Sequence, residues 1–228
     1  MKTCPFAMKL ACLALLTGVM ASAGSNEADP FLLDADTDTV NEGVLVLLPA
    51  PPGGPVHAHT TRITLLPTSL RDGWAQLDQC HTDLDEISRA QVVYRPGRVR
   101  KLAVVSSHGV GQAWVEGASV QLEDVSNAAS LCVRAESRVV HSLAPDRFVV
   151  RNGPFMRRFL DGFYPMHVTL DIRLPPGDWQ LVESVPAVQP GFAIMQDEHG
   201  LVAEAWFEGK LETEFHFMPA GNNNGAAD

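Results

Sequence analysis

The run Val168-Thr169-Leu170-Asp171-Ile172-Arg173-Leu174 alternates apolar and polar residues without a break. Successive side chains on a strand point to opposite faces, so an extended conformation buries every apolar residue of this run on one side. A helix would scatter them around its axis. Leu211, Thr213, Phe215 and Phe217 likewise share one face, with Glu212, Glu214 and His216 on the other. Similar short runs recur at 62–66, 91–94, 99–105, 120–125, 131–135, 148–150, 179–182, 192–195 and 202–207. Turn-forming pairs separate them: Pro96-Gly97, His108-Gly109, Glu116-Gly117, Asn152-Gly153, Pro176-Gly177, His199-Gly200 and Glu208-Gly209.

Helical patterns of 10 to 15 residues, which a parallel doubly wound sheet needs between its strands, are missing. The pattern predicts an all-β fold: a single antiparallel sandwich or barrel-like domain over 43–218. Two short helices are expected, over Leu84 to Ala90 and Phe155 to Asp161, and "PAPPGGP" (49–55) reads as a stiff loop. A hydrophobic content of 46% suits a packed globule.

The first 23 residues read as a secretory signal. Lys2 and Lys9 flank the start of an apolar run (10–20), and Ala21-Ser22-Ala23 supplies a cleavage site. Met8 is an alternative start. The run is shorter than the ~20 residues that span a bilayer, and no membrane span is expected later. Residues 24–42 carry six acids and no base, which predicts a mobile acidic leader; the polar 219–228 predicts a disordered tail. The chain has 17 basic and 27 acidic residues. Loss of Lys2 and Lys9 would take the net charge from −10 to about −12, which argues against nucleic acid as a partner.

Cys4 and Cys12 leave with such a signal, so Cys80 and Cys132 remain and are expected to pair in an oxidising compartment. Closing a loop of that length contributes about 4 kcal/mol in the chain-entropy account. Cys80 opens the segment Cys-His-Thr-Asp-Leu-Asp-Glu (80–86), whose thiol, imidazole and carboxylates raise the prospect of a reaction centre. On a strand, however, His81 points away from Cys80 and is badly placed to activate it.

His57 and His59 are the better metal candidates. Two residues apart, they share a face on a strand and offer a two-nitrogen bite for copper or zinc. A third ligand is open to His81, His108, His141, His167, His199, His216 or the acidic leader, with His81 of particular interest because a disulfide at Cys80 would hold it rigidly. Other chemistries fail on spacing. A blue-copper site needs His and Met soon after Cys, which neither Cys80 nor Cys132 has. Asp34, Asp36 and Asp38 open like a calcium loop, but Thr39 and Leu45 stand where Gly and Glu are required. "SSHGVG" (106–111) lacks the G-x-S-x-G of a hydrolase elbow and reads as a hairpin turn.

"YRPGRVRK" (94–101) gathers Arg95, Arg98, Arg100 and Lys101 as a possible interaction patch, or as a charged hairpin guarding a sheet edge. Alternation would send Arg98 and Arg100 to one face and Lys101 to the other. Arg157-Arg158 form a smaller basic spot. "DGFYPMHVTL" (161–170) is similar to the G-F-Y-P turn of immunoglobulin constant domains. Arg158 stands where those domains carry a cysteine, and the following strand has no tryptophan. What remains is a turn set by Gly162 and Pro165.

The sequence therefore predicts an exported protein, periplasmic or extracellular, acting as a non-catalytic binding or accessory module of the cell envelope. Its partner would be an envelope protein or small ligand. The alternatives are a copper- or zinc-binding protein using His57 and His59, and a hydrolase or carbohydrate-active enzyme whose carboxylates sequence alone does not pair.

Overall fold

The computed structural model describes residues 41–144 and 147–220. The signal expected over 1–23, the leader up to residue 40 and the tail from 221 lie outside them. The last leader residues meet the body: Asn41 forms a β-bridge with Phe163, whose N–H donates to the Asn41 carbonyl at 3.0 Å. Pro219 pairs with Trp179 and continues the final strand.

The protein is almost entirely β. The strands are β1 (Val46–Leu47), β2 (Ala58–Thr64), β3 (Trp74–Leu84), β4 (Ile87–Val93), β5 (Val99–Glu116), β6 (Ser119–Arg138), β7 (Val140–Ala144) and β8 (Arg147–Phe155). They continue as β9 (Arg157–Phe159), β10 (Gly162–Tyr164), β11 (Met166–Arg173), β12 (Trp179–Val185), β13 (Phe192–Asp197), β14 (Gly200–Glu208) and β15 (Leu211–Pro219). One short helix, α1 (Ser69–Asp72), lies between β2 and β3.

The large sheet runs β1-β14-β11-β2-β3-β6-β4, with β13 beside β1 on β14 and β5 along the free side of β6. A four-stranded sheet, β12-β15-β8-β7, and the β9–β10 hairpin complete the fold, and no barrel closes. Pairing is antiparallel except between β2 and β11, which run parallel.

The main core lies between the two sheets. Ile63, Leu77, Val168, Leu170 and Phe207 come from the large sheet, and Phe148, Val150, Phe215 and Phe217 from the small one. Phe148 stacks on Phe217 at 5.2 Å and meets Trp179 edge-on at 5.0 Å, geometries worth about 1 kcal/mol each beyond area burial. A second core gathers Val120, Leu122, Val125, Leu131 and Val133 on one face of β6, flanked by residues of β4 and β5.

The arm β4–β5–β6 does not continue flat. Asp83, Lys101, Asp124 and Ala128 take left-handed backbone conformations (φ 53 to 56°) within β3, β5 and β6, where register shifts or pairing changes. The resulting bend brings Tyr94, just past β4, back to the middle of β3, where its hydroxyl reaches Gln79. Tyr94 and Leu102 thus pack against both cores.

Several local expectations are corrected. The helix predicted over Leu84 to Ala90 is the bend from β3 into β4. Leu84, Ile87 and Ala90 mimic helical spacing because two strands meet there, and all three pack against the second core. The helix predicted over Phe155 to Asp161 is β9 and the turn after it. "SSHGVG" is not a turn but the middle of the 18-residue β5. Gly109 serves a bulge there (φ 68°), and a Cβ on Gly111 would come within 2.9 Å of the Asp124 Cβ. Asn152-Gly153 likewise lies inside β8 rather than at a turn.

Candidate functional site: a buried imidazole seam and a basic rim

The inward face of β2 and β3 starts apolar and then changes character. Ile63 faces Leu77, but the next inward pair is Thr61 with Gln79, and the next His59 with His81. All four polar residues are buried. His57, just before β2, brings its ring within 5.1 Å of His81, and His59 lies 4.5 Å from His81 and edge-on to Phe155 at 4.9 Å. The fold thus unites the three histidines singled out in the sequence.

Their hydrogen bonds have a direction. The Tyr94 hydroxyl donates to Gln79 Oε1 at 2.8 Å, which turns the Gln79 amide nitrogen toward His81 Nε2 at 2.9 Å. An amide NH2 only donates, so His81 Nε2 accepts and its proton sits on Nδ1. That proton is donated to His57 Nε2, 2.9 Å away. His59 Nε2 meets the Thr61 hydroxyl at 2.5 Å. Buried polar groups without partners cost about 1–3 kcal/mol each, so a satisfied chain is what allows this seam between two apolar cores.

Burial keeps these imidazoles neutral. It lowers His59 to about 3, with His57 adding to the shift, and pushes His81 well below its ordinary range with help from His59 and His57. His57 falls to about 4 through burial and the Arg157 guanidinium, opposed by Asp85 and Asp83. Arg157 grips Asp85 through two nitrogens, one at 2.9 Å, and so holds the β3–β4 bend against β9.

Among the described residues, no three His, Cys, Asp or Glu side chains are arranged to hold a metal ion. The reason is visible in the seam, where His59 Nε2 is turned to Thr61 and only His57 and His81 face each other.

Cys80 points to the opposite face from His81 and is bonded to Cys132, its direct partner across β3 and β6 (Cα–Cα 4.1 Å). The segment 80–86 is therefore no thiol site. His81 belongs to the interior, the cysteines to a staple on the outer face, and Asp85 to an ion pair.

The basic hairpin is largely neutralised by the protein's own acids. Arg95 meets Glu212 at 2.6 Å, while Arg100 and Lys101 both reach Glu136, at 2.6 and 2.5 Å. The expected split of Arg100 and Lys101 between faces fails because Lys101 occupies a left-handed bulge position. Arg100 also lies over the Trp74 ring at 4.1 Å. Arg98 differs: its contacts are the neutral Arg138 carbonyl and His141 Nε2, at 3.5 and 3.4 Å.

Sequence reasoning passed over Gln79, Thr61 and Tyr94. A signal existed for the first two, because polar residues at alternate positions interrupt the apolar face that Ile63 and Leu77 begin.

No family profile matches the chain, and no curated protein shows significant similarity to it. Among solved structures, a mutant M1 zinc metallopeptidase from Deinococcus radiodurans, bound to a Tyr-Ser-Ala substrate, aligns at 12% identity with a TM-score of 0.37. The match covers 72% of this chain and 42% of that one, so this chain spans less than half of that enzyme's length. A likeness of this size assigns no activity.

Proposed function

We propose that the protein is an exported, non-catalytic binding or accessory module of the cell envelope, periplasmic or extracellular. The observation that carries this reading is the Cys80–Cys132 disulfide, since such bonds persist in oxidising compartments. The placement of the acids supports the non-catalytic part. Asp78, Asp85, Asp171 and Glu136 each face a guanidinium, so their oxygens are engaged within the fold rather than left open to a substrate. The buried imidazoles are engaged in holding two cores together.

The test is native mass spectrometry of the untagged full chain recovered from a bacterial periplasm. The expected species begins near Gly24, carries the disulfide and retains an envelope protein or small ligand. Uncleaved chain with free thiols in the cytoplasm would overturn the reading.

The histidine geometry favours a second reading, copper or zinc binding. His57 Nε2 and His81 Nδ1 stand 2.9 Å apart, whereas two imidazole nitrogens on a tetrahedral zinc stand about 3.3 Å apart. Replacing their shared proton by a metal therefore asks for a small opening. Stoichiometric metal that disappears in His57→Ala and in His81→Ala would support this reading, and metal content unchanged by both would sink it.

A further inference from the structure

The guanidinium left over from the basic hairpin does not stand alone. Arg98 shares a concavity of about 360 Å3 with Arg71 at the end of α1, Arg138 at the end of β6, and His141 on β7. The scaffold fixes these groups together. The Arg138 N–H donates to the Arg98 carbonyl at 2.9 Å, and the N–H groups of Val139 and Val140 both donate to the Gly73 carbonyl at 3.1 Å. Gly73 is buried with φ 82°, and a Cβ there would meet the Val140 carbonyl at 2.9 Å, so the floor between α1 and β7 stays bare.

Eight other arginines form ion pairs with carboxylates: Arg62, Arg89, Arg95, Arg100, Arg134, Arg151, Arg157 and Arg173. Among the described residues five arginines have no such partner within ion-pairing distance, Arg71, Arg98, Arg138, Arg147 and Arg158, and the first three of them line this hollow. In a chain of net charge −10, three guanidiniums that line one hollow and have no carboxylate partner among the described residues form a local reversal of sign. The carboxylate in the lining, Asp72, accepts the Trp74 N–H at 3.0 Å.

We propose that this hollow binds a small phosphate-type oxyanion, held by the forked guanidiniums of Arg98 and Arg138 with Arg71 and His141 at its rim. Guanidinium presents paired N–H donors that match phosphoryl oxygens, which suits this class of ligand better than a monovalent ion. The His141 ring reports the same field. Burial lowers its affinity for a proton, Arg98, Arg151 and Arg138 lower it further, and Glu214 opposes them. An anion seated among these groups offsets the arginines, so binding raises the affinity of His141 for a proton.

The test uses the mature protein and inorganic phosphate, with binding read by calorimetry and His141 titration by NMR. Saturable 1:1 binding is expected, weakened at least tenfold in Arg98→Glu and in Arg138→Glu and unchanged in the control Arg158→Glu. Arg98→Gln alone, without ligand, should raise the His141 pKa, which confirms that the variant folds with its pocket intact. Vesicles of phosphatidylcholine with and without phosphatidic acid distinguish the source: binding that free phosphate competes away identifies a headgroup as the ligand. Absence of saturable phosphate binding, binding indifferent to both charge reversals, or vesicle binding that phosphate leaves untouched would each overturn the proposal.

Discussion

Two groups of basic side chains lie toward opposite ends of β3, and they behave in opposite ways. The imidazoles of His57, His59 and His81 are buried or nearly so, neutral, and joined to Gln79, Thr61 and Tyr94 by directed hydrogen bonds. The guanidiniums of Arg71, Arg98 and Arg138 are exposed, charged and without carboxylate partners among the described residues. Burial makes the difference. In the interior a polar group must be satisfied by the fold itself, so it becomes structure. At the rim, water satisfies it at little cost, and it stays free for a ligand.

Acid should break this contrast most severely. An unfolded histidine binds a proton near its ordinary 6.5, but folded His57 and His59 wait until about 4 and about 3. Between those values the unfolded chain holds more protons, so stability is fully present above pH 6.5 and drains away as pH falls toward 3. At 1.36 kcal/mol per pKa unit the loss is roughly 3 kcal/mol or more for each ring. Urea midpoints should hold between pH 7.5 and 6.5 and fall steadily from there to pH 4.5; a flat profile throughout would show that the seam is already wet.

Cutting the seam at neutral pH should cost less. Gln79→Leu strands both the Tyr94 hydroxyl and His81 Nε2, for a loss of about 2–4 kcal/mol in denaturant unfolding. Tyr94→Phe removes one bond from the end of the chain and should cost about 1 kcal/mol, while leaving the fluorescence of the four tryptophans native-like. At the rim the expectation reverses. Arg98→Gln should change stability by less than about 0.5 kcal/mol, and its effect should appear in anion affinity instead. A loss of 2 kcal/mol there would make the rim structural too.

The sequence made the strands legible because period-two alternation survives wherever one face is buried, as along β11 and β15. It also paired Cys80 with Cys132, and it offered His81 as one of several third partners for His57 and His59. It misled where a residue's usual role was reassigned by context. Gly109 and Gly111 look like a turn but serve a bulge and a close approach within β5. Leu84, Ile87 and Ala90 look helical because a bend joins two strands. The proposed anion hollow was invisible because Arg71, Arg98, Arg138 and His141 come from a helix, a turn and two strands with no common spacing. Of those four, Arg98 stood among neighbours that the fold neutralises, and His141 among six histidines offered as a third metal ligand.

The staple between β3 and β6 also has a mechanical side. Cys80 and Cys132 are 52 residues apart, yet their Cα atoms are held at 4.1 Å. A pulling force applied to the two ends of the chain would bypass everything between them, including β4 and β5. About 170–190 Å of contour length would stay hidden from extension until a reductant cut the sulfur bridge, and would then be released in the same stretching trace.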